Sequence, residues 1–263
     1  MDLDARFNHA VAIAEEAAVL ALQHFENRAE LTVELKGLQD RVTIADREVE
    51  ALIRRRIAER FPEDGLLGEE QGAGGSSTSP ALWVIDPIDG TTNFLRGLPH
   101  WSVVIAFCEN EETAFGVMVA PVLRERYVAR RGKGALCNDR PISVSKTSSL
   151  QDAVIAFGSN KKSPQEPYVD ALSKLLREGI EYRRLGCASM NLAGVASGKL
   201  DGFFEAKLKA WDALAGMLLV KEAGGRCNDY LADDGLLNGN SVLVSNGPMY
   251  EAMAAAFGVW AEG

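Results

Sequence analysis

Residues 83–94 run an apolar strand, Trp83, Val84 and Ile85, straight into Asp86, Pro87, Ile88, Asp89, Gly90, Thr91, Thr92, Asn93 and Phe94. Asp86 and Asp89 stand three apart across a proline, so the spacing predicts a turn that folds the chain back and aims both side chains at one spot. Two bare carboxylates held that close repel, and they settle by sharing a proton or a cation. An oxygen-only donor set suits a hard ion such as Mg²⁺. Gly90 permits close backbone approach, and the N–H groups after it can face an anion at the start of a helix.

With 263 residues, 47% of them hydrophobic, the chain can bury a sizeable core as one large domain or two modest ones. The formal net charge of −9 has the wrong sign for a general nucleic-acid or anionic-membrane surface. No nucleic-acid or membrane partner is therefore expected, and an anionic substrate needs local cations. Cys108, Cys137, Cys187 and Cys227 form no CxxC pair, and the histidines are only His9, His24 and His100, a poor set for zinc. Residues 1–10 lack a basic start followed by an apolar run, and no apolar segment reaches membrane-spanning length, so a cytoplasmic location with reduced thiols is expected.

Phe7, Ala10, Val11, Ala14, Ala17, Ala18, Ala21, Leu22 and Phe25 recur at helical spacing and predict an amphipathic opening helix. A second helical pattern, Val49, Leu52, Ile53, Ile57 and Phe61, follows Asp46 and stops before Pro62. Strand-like segments at 82–85, 102–108, 113–121 and 125–130 predict an antiparallel meander. The Gly and Ser run from Gly72 to Ser79 reads as a surface loop with nothing to bury. The pattern resets near Ser145 to Ser149, which divides the chain into residues 1–147 and 148–263. Beyond it, strands at 153–157 and 202–205 alternate with helices at 167–178 and 188–197. A last helix runs from Trp211 to Val220 with a small-residue face, and Asp212 at its start reads by itself as an N-cap.

Gly68, Glu69 and Glu70 precede the Asp86 run. Downstream, Trp211, Asp212, Ala213, Leu214, Ala215 and Gly216 continue to Glu222, Ala223, Gly224 and Gly225, and upstream stand Lys36 through Asp40, Val42, Thr43 and Asp46. In these four stretches, in this order over residues 36–225, the chain resembles the inositol monophosphatases. The resemblance implies an α/β (α+β) fold, the layered αβαβα sandwich, with residues 148–263 supplying Asp212 and the alcohol pocket. It implies Mg²⁺-dependent hydrolysis of a small phosphomonoester, above all myo-inositol monophosphate, with lithium sensitivity and a homodimer. Glu69, Asp86 and the carbonyl of Ile88 would hold one Mg²⁺, and Asp86, Asp89 and Asp212 a second. A third, weaker ion would use Glu69 and water. Thr91 resembles the family threonine that, with Asp46, orients or deprotonates the attacking water. Asp89, Gly90, Thr91, Gly186, Ala188 and Glu205 would contact substrate. Fructose-1,6-bisphosphatase, histidinol-phosphatase and adenosine bisphosphate nucleotidase share those metal ligands and are the alternatives, with an added regulatory binding role as another.

Each residue also has a plainer reading. Glu69 and Glu70 form a solvated acidic turn, Thr91 caps a helix and Glu205 ends a strand in solvent. Cys187 stands where the family often has serine, and Lys207 and Lys209 where it often has glycine; these lysines are expected to favour a second anionic group on the substrate. Gly132, Lys133 and Gly134 read as a hairpin turn rather than a phosphate cradle. His100 is expected to be buried and hydrogen-bonded, and Trp83 and Trp211 to stiffen the neighbouring aspartates.

Overall fold

The apolar spacing of the first segment forms α1 (Leu3–Glu26), opened by Asp2, whose carboxylate accepts the Ala5 N–H at 2.9 Å. A hairpin of β1 (Val33–Gly37) and β2 (Asp40–Thr43) leads into α2 (Ile44–Arg60). Then come β3 (Gly65–Gly68), β4 (Gly72–Gly75), β5 (Ala81–Asp89), α3 (Thr91–Arg96), β6 (Ser102–Glu109), β7 (Glu112–Ala120), β8 (Glu125–Arg130), β9 (Gly134–Cys137) and β10 (Arg140–Pro141). The rest of the chain forms β11 (Val154–Gly158), α4 (Glu166–Glu178), β12 (Glu181–Arg183), α5 (Ala188–Ala196), β13 (Gly202–Leu208), α6 (Ala210–Glu222), β14 (Gly225–Cys227), α7 (Gly235–Asn238), β15 (Asn240–Asn246) and α8 (Tyr250–Phe257). This computed structural model describes residues 2–30, 33–37, 40–76, 79–159 and 165–257. Residues 38 and 39 of the upstream stretch, and 77 and 78 of the Gly and Ser run, lie outside the described residues.

Five layers result. An eight-stranded sheet of order β10-β9-β8-β7-β6-β5-β3-β4 is antiparallel except where β3 meets β5, and a five-stranded sheet has order β12-β11-β13-β15-β14. α1 and α2 cover one face of the large sheet, α5 and α6 lie between the sheets, and α4 and α8 cover the far face of the small one. Three apolar clusters fill the three interfaces, with Trp83, Ile85 and Phe115 in the first, Val84, Leu192 and Leu219 in the middle one, and Phe157, Phe204 and Met253 in the last. This is the αβαβα sandwich that the family resemblance implied. The small-residue face of α6 explains the close middle layer: a Cβ on Gly116 of β7 would sit 2.7 Å from the Ala215 Cα.

Three local expectations need correction. Asp86 and Asp89 are brought together by a bulge inside β5 rather than by a reverse turn. Asp86 pairs with Val104 and Asp89 with Ser102, so three steps on β5 oppose two on β6, and Pro87, with no N–H to give the ladder, sits in the extra length. The segment read as a loop begins with β4, which pairs antiparallel with β3 through Gly72–Gly75. Trp83 belongs to the face of β5 opposite Val84, against Phe61 and Phe107, and its indole N–H donates to Asp64 at 2.9 Å. It packs away from the aspartates, as strand alternation requires.

Candidate metal centre

The bulge places Asp86 and Asp89 on one side at the end of β5, and the start of α6 adds Asp212 from 126 to 123 residues further along the chain. Oxygens of the three carboxylates lie within 4.8 Å of one another. Asp86 Oδ1 accepts the Ile88 N–H at 2.9 Å, while its Oδ2 is buried with no hydrogen-bond partner. Asp212 is half-buried in the first turn of α6, where it accepts the Lys209 N–H at 3.3 Å. It is the third residue of the helix, not the cap residue. Glu69 follows β3, tied to β5 by its N–H on the Ile85 carbonyl at 3.2 Å.

Like charges in a dry site raise each other's proton affinity. Burial, then Glu69, Asp212 and Asp89, hold the Asp86 carboxyl well above the usual carboxylate range. Burial and Asp89 push Asp212 up to about 7. Glu205 on β13 is 7% exposed and is pushed up to about 8 by burial, Asp212 and Asp89, against a smaller opposing effect of Arg184. It is therefore buried, contrary to the solvent-facing reading. An orphaned buried carboxylate oxygen among oxygen-only donors fits a hard divalent cation, which would replace the missing proton or partner.

Asp46 lies in the first turn of α2, where Oδ2 accepts from the Thr43 N–H at 2.8 Å and the Thr43 hydroxyl at 2.7 Å. Its Oδ1 accepts from the Thr91 hydroxyl at 3.4 Å, and Thr91 also reaches the Ile88 carbonyl at 3.2 Å. Thr91 thus turns its hydroxyl to Asp46 instead of capping α3. Gly90 precedes it with φ of +92°, which a side chain would strain, and a Cβ there would meet the His100 carbonyl at 3.0 Å. Gly186 and Ala188 approach from the start of α5: the Ala188 N–H points to Asp89 Oδ1 at 3.4 Å, and Asn93 spans the Leu185 and His100 carbonyls at 2.7 Å each.

Sequence reasoning missed Ser189 and Glu50. Ser189 gives Asp89 Oδ2 its N–H at 2.6 Å and also its hydroxyl, beside the Cys187 thiol at 3.0 Å. Its place two residues into α5 was the available signal. Glu50, one turn along α2 from Asp46, is fully buried. Two other residues fall elsewhere than expected, and one expectation holds. Lys209 Nζ donates to the Leu237 and Asn238 carbonyls at 3.4 and 3.2 Å, closing the end of α7 rather than meeting substrate. His100 is half-buried, and its main-chain carbonyl is the group that Asn93 engages. Gly132, Lys133 and Gly134 form the expected β8–β9 hairpin turn, and the Gly132 and Gly134 N–H groups donate to the Glu222 carboxylate at 2.8 Å each.

The model of the inositol monophosphatase family matches residues 2–259. The chain belongs to that family. Membership places it among metal-dependent phosphatases, consistent with the acidic cluster. It is 37% identical over 258 residues to an inositol-1-monophosphatase of Mesorhizobium japonicum, covering 97% of each chain. It is 35% identical over 240 residues to the Nus factor SuhB of Haemophilus influenzae, covering 90% of each. Among solved structures, an extragenic suppressor protein SuhB from Bartonella henselae superposes with a TM-score of 0.90 at 34% identity, over 96% of this chain and 98% of that one. Among the described residues, no helix is long and apolar enough to cross a membrane.

Proposed function

We propose that the chain hydrolyses small phosphomonoesters with Mg²⁺, myo-inositol monophosphate first among them, and that it works as a homodimer in the cytoplasm. The observation that carries this is Asp86 Oδ2, buried and unpartnered while facing the carboxylates of Asp89 and Asp212. Glu69, Asp86 and the Ile88 carbonyl are the groups to hold one ion, and Asp86, Asp89 and Asp212 the second; Glu69 with water is the place for a third. Bound Mg²⁺ supplies the positive charge that neutralises a phosphoryl group and makes water more acidic.

The side chains do the rest. Thr91 takes a proton from the attacking water as its own hydroxyl proton passes to Asp46 Oδ1, the oxygen it already faces. Thr43 fixes the other Asp46 oxygen, so the acceptor cannot rotate away. The Gly90 and Thr91 N–H groups orient the phosphate oxygens at the start of α3. Asp89, Gly186, Ala188 and Glu205 form the wall that meets the alcohol; a Glu205 carboxyl that keeps its proton near neutral pH can donate as well as accept.

Phosphate release is measured from myo-inositol monophosphate, fructose 1,6-bisphosphate, histidinol phosphate and adenosine 3′,5′-bisphosphate, with Mg²⁺, with EDTA and with added Li⁺. The reading expects the inositol ester to be cleaved fastest, EDTA to abolish release and Li⁺ to inhibit it. Faster cleavage of another ester moves the chain to that phosphatase type, and release indifferent to EDTA removes the metal mechanism. A second reading, a Nus-type role beside catalysis, is favoured by the SuhB relatives. It does not need the acidic cluster, so a variant dead in hydrolysis separates the two.

A further inference from the structure

Resting on the metal reading above, we propose that Glu50, paired with Arg54, is the positioning residue for Glu69. Glu50 and Arg54 lie on the Asp46 face of α2, each one turn beyond the last. The Glu50 side chain is fully buried and Arg54 Nε donates to its Oε1 at 2.7 Å, so the carboxylate is neutralised inside the fold. Its two oxygens then accept consecutive main-chain N–H groups, Glu70 at 2.8 Å and Gln71 at 3.1 Å. The Glu69 N–H is on the Ile85 carbonyl, one residue before Asp86. Three successive amides therefore tie the Glu69 turn to the strand that carries Asp86 and to the helix that carries Asp46.

The glycines around Glu69 follow from this pair. A Cβ on Gly68 would fall 2.3 Å from Glu50 Oε1 and 2.7 Å from Arg54 Nη2, and one on Gly74 would fall 2.8 Å from Arg54 Nη1. The Arg54 guanidinium also donates to the Gly72 carbonyl. Gly68 and Gly74 are thus bare where the pair lies on them, while Gly72 and Gly75 carry positive φ angles of their own. The clamp has a task to perform. Glu69 is one of the charges that raise the Asp86 proton affinity, so the two repel, and Glu69 is half-exposed. Groups that orient a metal ligand from behind set metal affinity by about 10- to 100-fold.

Asp64 provides the control. It is a buried carboxylate on the neighbouring loop, held by Arg6 at 2.8 Å and by Trp83 at 2.9 Å, and neither partner belongs to the turn at residues 69–71 that Glu50 holds. Mg²⁺ is titrated calorimetrically into the metal-stripped full chain as wild type, Glu50→Gln, Arg54→Lys and Asp64→Asn, with Tm recorded for each. The expected result is Mg²⁺ affinity lowered about 10-fold in Glu50→Gln and about three-fold in Arg54→Lys, which keeps the charge but loses the fork. Asp64→Asn should lose Tm and keep the wild-type affinity. Wild-type affinity in folded Glu50→Gln overturns the proposal, and so does an equal fall in Asp64→Asn, the mark of general loosening. If Glu50→Gln does not fold, Arg54→Lys decides by the same criterion. A wild type that binds no Mg²⁺ overturns the metal centre itself, an outcome distinct from the failure of Glu50 alone.

Discussion

Glu50, Asp64 and Asp201 are buried as deeply as Asp86, yet they meet opposite surroundings. Glu50 faces Arg54 and two amides, Asp64 faces Arg6 and an indole, and Asp201 takes the Val154 N–H at 2.7 Å and the Ser145 hydroxyl. Asp86 faces Glu69, Asp89 and Asp212, and one of its oxygens faces nothing that donates. A buried carboxylate without a partner costs more than an exposed one, so a fold keeps it only where something outside the chain supplies the partner. In the first group the sequence completes the electrostatics by itself. In the second it stops one or two cations short.

The largest expected effect breaks the second group. Asp86→Asn removes the charge that both proposed ion sites share while Oδ1 can still accept the Ile88 N–H, and the account expects turnover to fall by about 1,000-fold, the scale of losing a main electrostatic stabiliser. In EDTA the same variant should be at least as heat-stable as the wild type, because it relieves repulsion. A lower Tm in EDTA would say that Asp86 is a structural carboxylate after all.

Asp64→Asn is the mirror image. It leaves Arg6 without its buried partner and should cost about 3 kcal/mol of stability by denaturant titration, with turnover of the folded protein unchanged. A loss of activity comparable to that of Asp86→Asn would erase the distinction between the groups.

Acidity offers a third test, and its sign is fixed by Asp212. Its proton affinity rises from 3.8 to about 7 on folding, so the folded chain holds a proton that the unfolded chain has released. That contribution is full below pH 3.8 and fades as the pH rises to about 7. The Tm of the metal-free protein should fall across pH 5 to 8, and added Mg²⁺ should raise it more at pH 8 than at pH 5.5, since protons and cations compete for the same oxygens. A metal-free Tm that is flat across this range would contradict the crowding of the cluster.

The smallest effect concerns the alcohol wall. Cys187→Ser keeps a donor toward Asp89 Oδ2, so the KM for myo-inositol monophosphate should change by no more than about three-fold with kcat unaltered. A large fall in kcat would place the Cys187 thiol nearer to the chemistry than its contact with Asp89 implies.

The two groups were not equally legible. The strand that ends in Asp86 and Asp89 and the helix that carries Asp212 could be read because apolar periodicity and a local motif carry them, and the layered fold came from the family resemblance. Asp46 and Thr91 were paired through the family pattern, and the structure puts their oxygens 3.4 Å apart. Glu50 and Ser189 could not be read. An acidic residue inside a helix has no local mark of purpose, a serine in the first turn of α5 has only that position, and their partners lie 20 and 100 residues away in sequence. The glycine strand misled for the same reason: Gly74 is bare under the Arg54 side chain, which sits on it only once α2 has packed. Bulge and turn were confused because both let two residues three apart share a side, and only the pairing with β6 tells them apart.

The central claim is that cations complete what the chain leaves open at Asp86. Diffraction at the manganese edge from crystals soaked in Mn²⁺, a Mg²⁺ surrogate with an anomalous signal, tests it most directly. The account predicts an anomalous peak bonded to Asp86 Oδ2 and shared with Asp89 or Asp212. Saturating Mn²⁺ that leaves this oxygen bare, or that binds only at other acidic residues, would contradict it.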